Sequence, residues 1–496
     1  MKFLLGSDPG LDCETAAEFE QKRFGGDAAQ EWAAMQKAGA AVADELQRDM
    51  RMAGIAPDEP GDVLLLVGKG HNGGDALLAA ARLLERTCWS IEVGFVFGQN
   101  RLRPLALAAW QALQHVGGCE RVRAVRRDQF ETRSYHAVLD GVFGFQFRPP
   151  LPDAVSKWFS AVAKTTVRFK AAVDLPSGLN ESGAFVADAT YATGIFKTPL
   201  LDCAGAGRLR YLDLGFFPPD TPGDQRVLKA SVLNPLRRLR PARCDKRDFG
   251  QLAVVGGSRA YPGAVGLSVA AALHSGVGNV TAFVPASQAA AFAARWPEAM
   301  WMGCPETEDG SIAMEAGLDI RRHLQRATAL LIGPGLGREP ETLALVAELI
   351  RDSVVPLVLD ADALQPDLVG LGVARRILTP HQGEYDRLGG SRDALPMGSV
   401  VVRKGPLTRI EYEDACYYSI EGGPVLARGG SGDMLAGLIG GRLAVTPDDL
   451  GAAASQSTFW HGRAARRVAE RWGEVAVRNS ALLAELNSVL RKGSTS

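Results

Sequence analysis

Short, uninterrupted apolar runs alternate with stretches of helical periodicity along most of the chain, and this alternation limits the fold more than any other feature. Asp62–Val67 reads DVLLLV, the turn GKGHNGGD follows, and ALLAAARLLER then places apolar residues at helical spacing. A continuously apolar run of this length predicts a strand buried on both faces of a parallel sheet. The alternation therefore predicts α/β domains with right-handed helical crossovers.

The same alternation continues through both halves of the chain. In the first half, residues 105–115 predict a helix, and in the second half residues 264–275 predict another. The further strands predicted are residues 91–97, 137–140, 169–174, 251–255, 279–284, 329–332, 356–359, 376–378 and 399–403.

The composition and periodicity of the sequence change near residues 221–244, and this change divides the chain. This stretch is rich in Pro and Arg and lacks sustained periodicity. A chain of 496 residues is also too long for one ordinary domain. We therefore predict domains at residues 1–225 and 226–496, and because the halves share no obvious repeat we expect two different α/β domains.

Composition limits the classes of partner. With 46% hydrophobic and 22% charged residues the chain is typical of a soluble globular protein, and its net charge of -1 gives no reason to expect nucleic acid or a membrane as a partner. No stretch approaches the roughly 20 apolar residues of a membrane span, and the apolar run at the N-terminus is too short for a signal peptide. The seven cysteines form no C-x-x-C pair, which argues against a disulfide framework or a zinc site. We expect a cytoplasmic protein.

A glycine-rich turn meets a helix at residues 426–437, which read LARGGSGDMLAG. Backbone N–H groups at a helix N-terminus have no partner within the helix, and glycines let a phosphate approach them without a Cβ clash. An acid there repels phosphate, but Asp433 is suited to take a proton from a hydroxyl group that meets the phosphate. The alternative is that Asp433 only caps its helix.

Four further motifs of the second half follow predicted strands, where open α/β sheets bind their ligands. They are GPGLG at 333–337, DADAL at 360–364, TPHQGE at 379–384 and KGPLT at 404–408. Each alone is compatible with turn chemistry or a surface charge. Their occurrence together and in this order favours one functional site.

The second half resembles the ribokinase-like superfamily, whose GGSGD-type turn carries an anion hole and a catalytic Asp. Within that superfamily it is similar to the ADP-dependent NAD(P)H-hydrate dehydratases, along residues 248–285 and at the four motifs above. Sugar and pyrimidine kinases of the superfamily usually have Asn-x-x-Glu where this chain has His381 and Glu384, which favours the dehydratases.

This resemblance implies a role for each matching residue. Asp433 would act as the base on the C6 hydroxyl of the hydrated nicotinamide, the terminal phosphoryl group of ADP would activate that oxygen, and elimination would restore NAD(P)H with AMP and phosphate. Mg²⁺ would offset the charge of the phosphates. The residues implied to line the hydrated nicotinamide are Ala264, Gly335, His381 and Asp433. Those implied to bind the nucleotide are Lys404, Gly405, Pro406, Leu407, Thr408 and Gly432.

Two features of the first half point to a second site. The turn GKGHNGGD at residues 68–75 joins a predicted strand to a predicted helix, which makes it a backbone cradle for phosphate or, alternatively, a plain tight turn. The segment VDLPSGLNESG at residues 173–183 places Asp174 at the carboxyl end of a strand. Asp174 is there either a general base or a turn-forming residue.

These features resemble the NAD(P)H-hydrate epimerase domain, and the similarity covers most of residues 29–214. The other matching motifs are MQKAG at 35–39, LDGVFG at 139–144, DLPSG at 174–178 and ATGIFKTPLL at 192–201. The family turn usually reads Asn-Asn-Gly-Gly-Asp, and here His71 replaces the first Asn. The loop after Phe143 normally continues Gly-Thr-Gly, and here it reads GFQFRPPL.

The epimerase resemblance also implies residue roles. Asp174 would bind the substrate and move the proton. Asn72, Asp140 and Ser177 would bind K⁺, and oxygen ligands of this kind suit a hard alkali cation. The residues implied to contact the substrate are His71, Asn72, Gly73, Gly74, Asp75, Gly144, Phe145, Gln146, Phe147, Arg148, Pro149, Pro150 and Asp174.

Together the resemblances imply an N-terminal Rossmann-like three-layer α/β/α domain and a C-terminal ribokinase-like α/β domain. The implied enzyme interconverts R- and S-NAD(P)HX and dehydrates the S form with ADP, so that one chain repairs both epimers. Its implied substrates are NADHX and NADPHX, and it is expected to assemble as a homo-oligomer.

Two alternatives stay open from the sequence. In one, the second half is a small-molecule kinase that releases a stable phosphate ester. In the other, the first half is a non-catalytic binding module, as its altered turns suggest, although it retains Asn72, Asp174 and Ser177.

Overall fold

The structure is a computed structural model that describes Leu4, residues 6–130 and residues 133–491. The chain separates into two compact units. We call Asp8–Val227 the N-terminal unit, and we call the part from Leu228 onwards, with the described residues before Asp8, the C-terminal unit. The six cysteines whose side chains are described are free thiols, and Cys119 has a side chain outside the described part.

The N-terminal unit is built from strands and helices that alternate along the chain. The strands up to residue 212 are β1 (Ser7–Leu11), β2 (Asp62–Val67), β3 (Ser90–Phe95), β4 (Val122–Val125), β5 (Ser134–Gly141), β6 (Thr166–Val173), β7 (Ala189–Thr193), β8 (Phe196–Lys197) and β9 (Arg208–Leu212). The helices are α1 (Cys13–Phe24), α2 (Ala28–Met52), α3 (His71–Leu84), α4 (Pro104–Arg121), α5 (Arg127–Phe130) and α6 (Asp153–Lys164). Seven strands form one parallel sheet in the order β4-β3-β2-β5-β6-β7-β9, and β1 pairs in parallel with β8.

Strand β2 shows how helices cover this sheet on both faces. Val63 and Leu65 belong to a buried cluster with side chains of α2, α3 and α4. Leu64 and Leu66 point the other way, into a buried cluster with side chains of α6. Successive side chains of a strand alternate between its faces, so an unbroken apolar run needs an apolar layer on each side. The predicted three-layer α/β/α architecture is confirmed.

The C-terminal unit contains a larger set of elements. Strand β10 (Gln225–Leu228) spans the junction in sequence, and β11 (Gln251–Val255), β12 (Asn279–Pro285), β13 (Met300–Cys304), β14 (Ala329–Ile332), β15 (Leu357–Leu359), β16 (Arg376–Leu378), β17 (Val400–Arg403), β18 (Thr408–Tyr412) and β19 (Ala415–Ser419) follow. The helices are α7 (Pro262–His274), α8 (Ala286–Arg295), α9 (Gly317–Leu324), α10 (Pro340–Asp352), α11 (Pro366–Val369), α12 (Gln382–Arg387), α13 (Ser431–Val445), α14 (Leu450–Trp472) and α15 (Asn479–Leu490).

The sheet of the C-terminal unit changes direction near one edge. Its order is β13-β12-β11-β14-β15-β16-β17-β18-β19, parallel from β13 to β17 and antiparallel from β17 to β19. The carboxyl ends of β11 and β14 to β17 therefore meet at one edge of the sheet. Ligands bind at this edge in open α/β sheets.

Every strand and helix predicted from the apolar runs is present, and the differences lie at the ends of elements. Strand β5 begins at Ser134 and β6 begins at Thr166, ahead of their apolar runs. Both strands start with exposed residues, which carry no hydrophobic signal. Helix α4 continues to Arg121, beyond the predicted end at residue 115.

Helices α7 and α13 approach each other more closely than ordinary side chains permit. A Cβ on Gly437 of α13 would lie 2.0 Å from the carbonyl oxygen of Ser268 in α7. We expect Gly437→Ala to lower the free energy of unfolding of the C-terminal unit by about 1–3 kcal/mol, because the helices must separate. Calorimetry of the intact chain should show a melting point lower by roughly 2–4 °C for each kcal/mol.

Gly263→Ala in α7 is the matched control for this prediction. Apart from its chain neighbours and the adjoining backbone of α7, no atom of the described residues lies within 4 Å of the Cβ that it adds. Alanine favours the helix over glycine by up to about 1 kcal/mol, so this variant should melt at the same or a higher temperature than the parent chain. Equal melting points for the Gly437 and Gly263 variants would contradict the close helix contact.

Candidate active sites

The turn between β2 and α3 holds the start of α3 against the sheet. A Cβ on Gly68 would lie 1.9 Å from the carbonyl oxygen of Val142, and one on Gly73 would lie 2.6 Å from the carbonyl oxygen of Gly68. Only glycine fits at such distances. His71 and Asn72 begin α3, where the backbone N–H groups have no helical partners. The turn thus has the build of a phosphate cradle.

The three predicted K⁺ ligands converge beside the carbonyl group of Phe143. Asn72 Nδ2 donates to this carbonyl at 2.8 Å, and Ser177 Oγ lies 3.3 Å from it. The carboxylate of Asp140 accepts from the hydroxyl and the backbone N–H of Ser177, both at 2.8 Å. Burial raises the pKa of Asp140 to about 6, against the effect of these hydrogen bonds. The cluster brings several oxygen atoms together, the donor type that suits a hard cation.

Asp174 follows β6 and forms a buried ion pair. Its Oδ1 pairs with Nζ of Lys197, and its Oδ2 accepts the backbone N–H of Phe145 at 3.3 Å. Asp174 is 4% exposed and Lys197 is fully buried. Asp174 also has a φ of 67°, in a region that residues other than glycine rarely occupy and that is enriched at functional sites. Because a buried charge cannot be left without a partner, the pair fixes where the Asp174 carboxylate lies.

A cavity of about 510 Å³ opens beside this ion pair. Its volume lies within the range of small-molecule sites. The predicted substrate residues that line it are His71, Asn72, Asp75, Gly144, Phe145, Gln146, Phe147, Arg148 and Asp174. Gly73 and Gly74 are instead buried in the first turn of α3, and Pro149 and Pro150 are exposed and do not line the cavity.

Two further acids of this cavity are held in unusual electrostatic surroundings. Asp75 is 8% exposed, and its Oδ1 has no hydrogen-bond partner in the described part of the chain. Burial, with the charges of Asp174 and Glu20, raises the pKa of Asp75 well above its usual range. Burial also raises the pKa of Glu20 to about 7, although the charge of Lys197 opposes this rise.

In the C-terminal unit, Asp433 lies in the first turn of α13. The N-cap of this helix is Gly430, with a φ of 89° and no side-chain cap hydrogen bond. A Cβ on Gly430 would lie 2.4 Å from Nδ2 of Asn479, so the turn requires glycine. The alternative that Asp433 is the cap of its helix is therefore wrong. Asp433 is instead the third residue of α13, and a hydrogen bond from its own backbone N–H lowers the pKa of its carboxylate against the larger effect of burial.

The electrostatic surroundings of Asp433 make it a stronger base than an ordinary carboxylate. Burial raises its pKa to about 6, the negative charge of Asp360 adds to the rise, and the positive charge of Lys404 opposes it. Asp433 is therefore ionised at neutral pH and holds a proton more readily than an exposed Asp does.

Lys404 links the carboxyl ends of three adjacent strands. Its Nζ donates to Oδ1 of Asp360 at 2.8 Å, and Oγ1 of Thr379 donates to the same oxygen at 2.7 Å. Burial lowers the pKa of Lys404, but the charge and hydrogen bond of Asp360, with the charges of Glu384 and Asp433, leave the pKa raised. A Cβ on Gly432 would lie 3.3 Å from this Nζ. The ammonium group therefore lies beside the glycine turn at the start of α13.

Ala264 and Gly335 lie together, next to Asp433 in the packing of α7 on α13. A Cβ on Gly335, whose φ is 63°, would lie 2.9 Å from the Cβ of Ala264. Ser268 Oγ donates to the carbonyl oxygen of Asp433 at 2.9 Å and lies 3.2 Å from that of Ala264. The structure thus brings together Ala264 of α7 and Asp433 of α13, two of the residues predicted to line the nicotinamide, with Gly335 beside Ala264.

His381 is held at the start of α12. Its backbone N–H donates to the carboxylate of Glu384 at 2.8 Å, and its Nδ1 accepts the backbone N–H of Glu384 at 3.3 Å, which forms a capping box. The imidazole is 60% exposed. The backbone of His381 forms a bridge with that of Lys404, so His381 lies beside the predicted nucleotide segment, residues 404–408, which turns from β17 to β18.

Sequence reasoning missed some of these partners. Lys197 lies within the matching motif ATGIFKTPLL, but nothing in the motif pairs it with Asp174. Asp360 belongs to the quoted DADAL motif, but its bond to Lys404 depends on the strand order. Nothing in the sequence indicated that Glu20 is functional, because a single acid in a helix with many charged residues is typical of a solvent-exposed helix face.

Each half of the chain matches the model of a known protein family. One family model, described as YjeF-related protein N-terminus, matches residues 32–198, and another, described as NAD(P)H-hydrate dehydratase, matches residues 252–487. A bifunctional NAD(P)H-hydrate repair enzyme of Gloeobacter violaceus is 34% identical over 480 residues, which cover 88% of this chain and 89% of the relative. An enzyme of the same name from Moorella thermoacetica is 33% identical over 497 residues, or 92% of each chain.

A solved structure is also similar to part of the chain. A ribokinase-like superfamily protein of Enterococcus faecalis aligns with a TM-score of 0.47 and 24% identity, over 55% of this chain and 98% of its own. Separately, no helix in the described ranges has both the length and the apolar character that crossing a membrane demands.

The Asp140–Ser177 contact yields a prediction about local stability. Ser177→Ala removes two contacts at once: the hydroxyl donor to Asp140 and the acceptor of the Phe143 backbone N–H at 2.8 Å. Removing a buried partner costs about 1–3 kcal/mol, so the Phe143 amide should exchange with deuterium roughly 5- to 150-fold faster. Hydrogen exchange of the intact chain by mass spectrometry measures this. Ser182→Ala, at an exposed position in the same loop, should leave the exchange rate unchanged.

Proposed function

We propose that the N-terminal unit epimerises hydrated NAD(P)H and that the C-terminal unit dehydrates it, because the chain belongs to the family of bifunctional NAD(P)H-hydrate repair enzymes. The observation that carries the proposal is the position of Asp433, a half-buried acid of raised pKa in the first turn of α13, with the Lys404 ammonium beside the adjoining glycine turn. This arrangement puts a base and an anion site next to each other.

Dehydration follows from this pairing of a base and an anion site. The carboxylate of Asp433 takes the proton of the C6 hydroxyl as that oxygen attacks the terminal phosphoryl group of ADP. AMP leaves, and the hydroxyl has become a phosphate ester, which is a much better leaving group. Loss of phosphate from C6 and of a proton from C5 then restores the reduced nicotinamide. Lys404 and the amide of Gly432 hold the negative charge that moves during the transfer.

Mg²⁺ fits this site as a companion of the nucleotide. In the part of the chain that the structure describes, no cluster of three or more His, Cys, Asp or Glu side chains is placed to hold a metal ion by itself. Asp360 is already engaged by Lys404 and Thr379. A Mg²⁺ ion that enters on the phosphates would offset their charge and needs few protein ligands.

Epimerisation is assigned to the cavity beside Asp174. The carboxylate of Asp174 is placed by Lys197 and Phe145 at the cavity wall, where it binds the substrate and moves a proton. The glycine turn before α3 supplies backbone N–H groups for the phosphates of the dinucleotide.

The K⁺ assignment rests on Asn72, Asp140 and Ser177. Their convergence at the Phe143 carbonyl supports it, because a side-chain amide, a carboxylate, a hydroxyl and a carbonyl supply only hard oxygen donors. A bound cation would hold the start of α3, the end of β5 and the loop after β6 together, and so would stabilise the floor of the cavity.

The remaining assignments complete the proposal. Residues 1–225 form the epimerase domain and residues 226–496 form the dehydratase domain, each with the site residues named above. The substrates are NADHX and NADPHX, and the enzyme works in the cytoplasm as a homo-oligomer. If the dehydratase takes one C6 epimer only, the epimerase converts the other, and one chain repairs both forms.

The dehydration mechanism predicts a large effect of Asp433→Asn. Loss of the general base should slow dehydration roughly 100-fold or more, measured as the return of reduced-nicotinamide absorbance when hydrated NADH and ADP are added. In the parent chain, the rate should rise as the pH passes through about 6, because Asp433 must lose its proton to act as the base. Asp367→Asn, an exposed acid of the same unit, is the control and should retain full activity. A phosphorylated product that accumulates without reduced nicotinamide would identify a kinase instead.

The epimerase assignment predicts a separation of the two activities in one protein. Asp174→Asn should slow the interconversion of R- and S-NADHX roughly 100-fold or more, measured by chromatography of the two epimers, while dehydration of the S epimer continues. Asp58→Asn, at an exposed position of the same unit, should change neither rate. Interconversion at the parent rate in Asp174→Asn would make the N-terminal unit a non-catalytic module.

A further inference from the structure

Glu20 stands where two cavities of the N-terminal unit meet. It lies on α1, ahead of residue 32, where the family match begins. Its side chain lines both the cavity of about 510 Å³ and an adjoining cavity of about 160 Å³. The other residues that line both cavities are His71, Asp75, Gln146 and Thr193. Glu20 is therefore accessible from both cavities, the larger of which is the proposed substrate site.

Three other ionisable groups of the cavity, Asp174, Lys197 and Asp75, are less suited to donate a proton. Asp174 is tied to Lys197 and to the backbone N–H of Phe145, and an ionised carboxylate in such a pair accepts protons. Lys197 is tied in turn to Asp174 and to the carbonyl oxygen of Thr193 at 3.3 Å. Asp75 also lines the cavity but is only 8% exposed, whereas Glu20 is half-buried and more accessible to solvent.

Inversion at C6 has a chemical requirement that one carboxylate does not meet. In the route proposed here, the C6–O bond breaks and re-forms on the opposite face of the ring. Hydroxide is a poor leaving group, so the departing oxygen needs a proton, and the incoming water must lose one. The site therefore needs a proton donor and a proton acceptor at the same time, from two groups with different environments.

We propose that Glu20 is the proton donor of this reaction and a further catalytic residue of the N-terminal unit, with Asp174 as the acceptor. The proposal rests on the epimerase function proposed above. It assigns a role to α1, which the family match leaves out.

The step balances without any further reactant. The carboxylic acid of Glu20 gives its proton to the C6 hydroxyl, the C6–O bond breaks with its electron pair on oxygen, and water departs. The lone pair of the ring nitrogen forms a double bond to C6. Water then adds to the other face of C6, and the Asp174 carboxylate takes its surplus proton. The next turnover in the reverse direction, or exchange with solvent, returns the proton to Glu20.

The surroundings of Glu20 support the role of donor. Burial raises its pKa to about 7, so a large fraction keeps its proton at neutral pH. The charged and titratable groups that face it come from α2, α3, β8 and the end of β6. They are Glu31, His71, Asp75, Lys197 and Asp174. Among these groups Lys197 alone carries a fixed positive charge, and it is paired with Asp174.

Three variants of the intact chain test the proposal. Glu20→Gln should slow epimer interconversion roughly 100-fold, Glu20→Asp should recover part of the rate, and Glu18→Gln, at an exposed position on the same helix, should leave it unchanged. The parent rate should fall as the pH rises above about 7, and this fall should be absent in Glu20→Gln. Unchanged dehydration of S-NADHX by each variant shows that the C-terminal unit is folded, and an unchanged melting curve shows the same for the N-terminal unit.

An isotope measurement tests the bond that breaks. In ¹⁸O-labelled water, the parent chain should introduce one labelled oxygen at C6 for each inversion, above the rate without enzyme. Inversion without oxygen exchange would overturn the proposed step, and a full rate in Glu20→Gln would overturn the role of Glu20. Both results leave the epimerase function in place. Absence of interconversion in the parent chain would instead overturn that function, and this inference with it.

Discussion

A lysine–carboxylate pair organises each of the two sites, because the buried carboxylate of each pair needs an opposite charge or hydrogen-bond donors beside it. In the N-terminal unit Lys197 pairs with Asp174, and in the C-terminal unit Lys404 pairs with Asp360. Each carboxylate follows a strand of a parallel sheet, so each pair lies at the edge where such sheets bind ligands. The need to pair the carboxylate at the end of the strand with a lysine therefore also sets where each site lies.

The pairs differ in what they do for the proposed base. In the N-terminal unit the base belongs to the pair, so Lys197 holds Asp174 in place. In the C-terminal unit Asp433 stands outside the pair, and the opposite effects of Asp360 and Lys404 on its pKa leave burial as the main cause of the rise. Lys404 can then serve the phosphates beside Gly432. This explains how an acid is tolerated in a turn built for anions.

Local patterns predicted much of the fold and part of the sites. The apolar run of β2 predicted a strand covered on both faces, and the GGSGD turn placed Asp433 at a helix start, because both features depend on neighbours in sequence. The pairing of Lys197 with Asp174 depends on which segments adjoin across the unit, which a sequence does not display. The left-handed backbone of Asp174 was equally hidden, since a residue before Leu-Pro gives no such signal. Residues joined by tertiary packing therefore had to be found in the structure.

The departures from the family motifs lie at the entrance of the proposed epimerase cavity and leave the contacts of Asp174 and Asn72 in place. His71, which replaces the usual Asn, lies with Nε2 3.4 Å from Glu31 at the half-exposed mouth of the cavity. The adjacent Asn72 keeps its bond to the Phe143 carbonyl. In the altered loop, the ring of Phe147 packs against that of Phe143 with centroids 5.0 Å apart. The added bulk is therefore absorbed by aromatic packing, and Phe145 still donates its backbone N–H to Asp174.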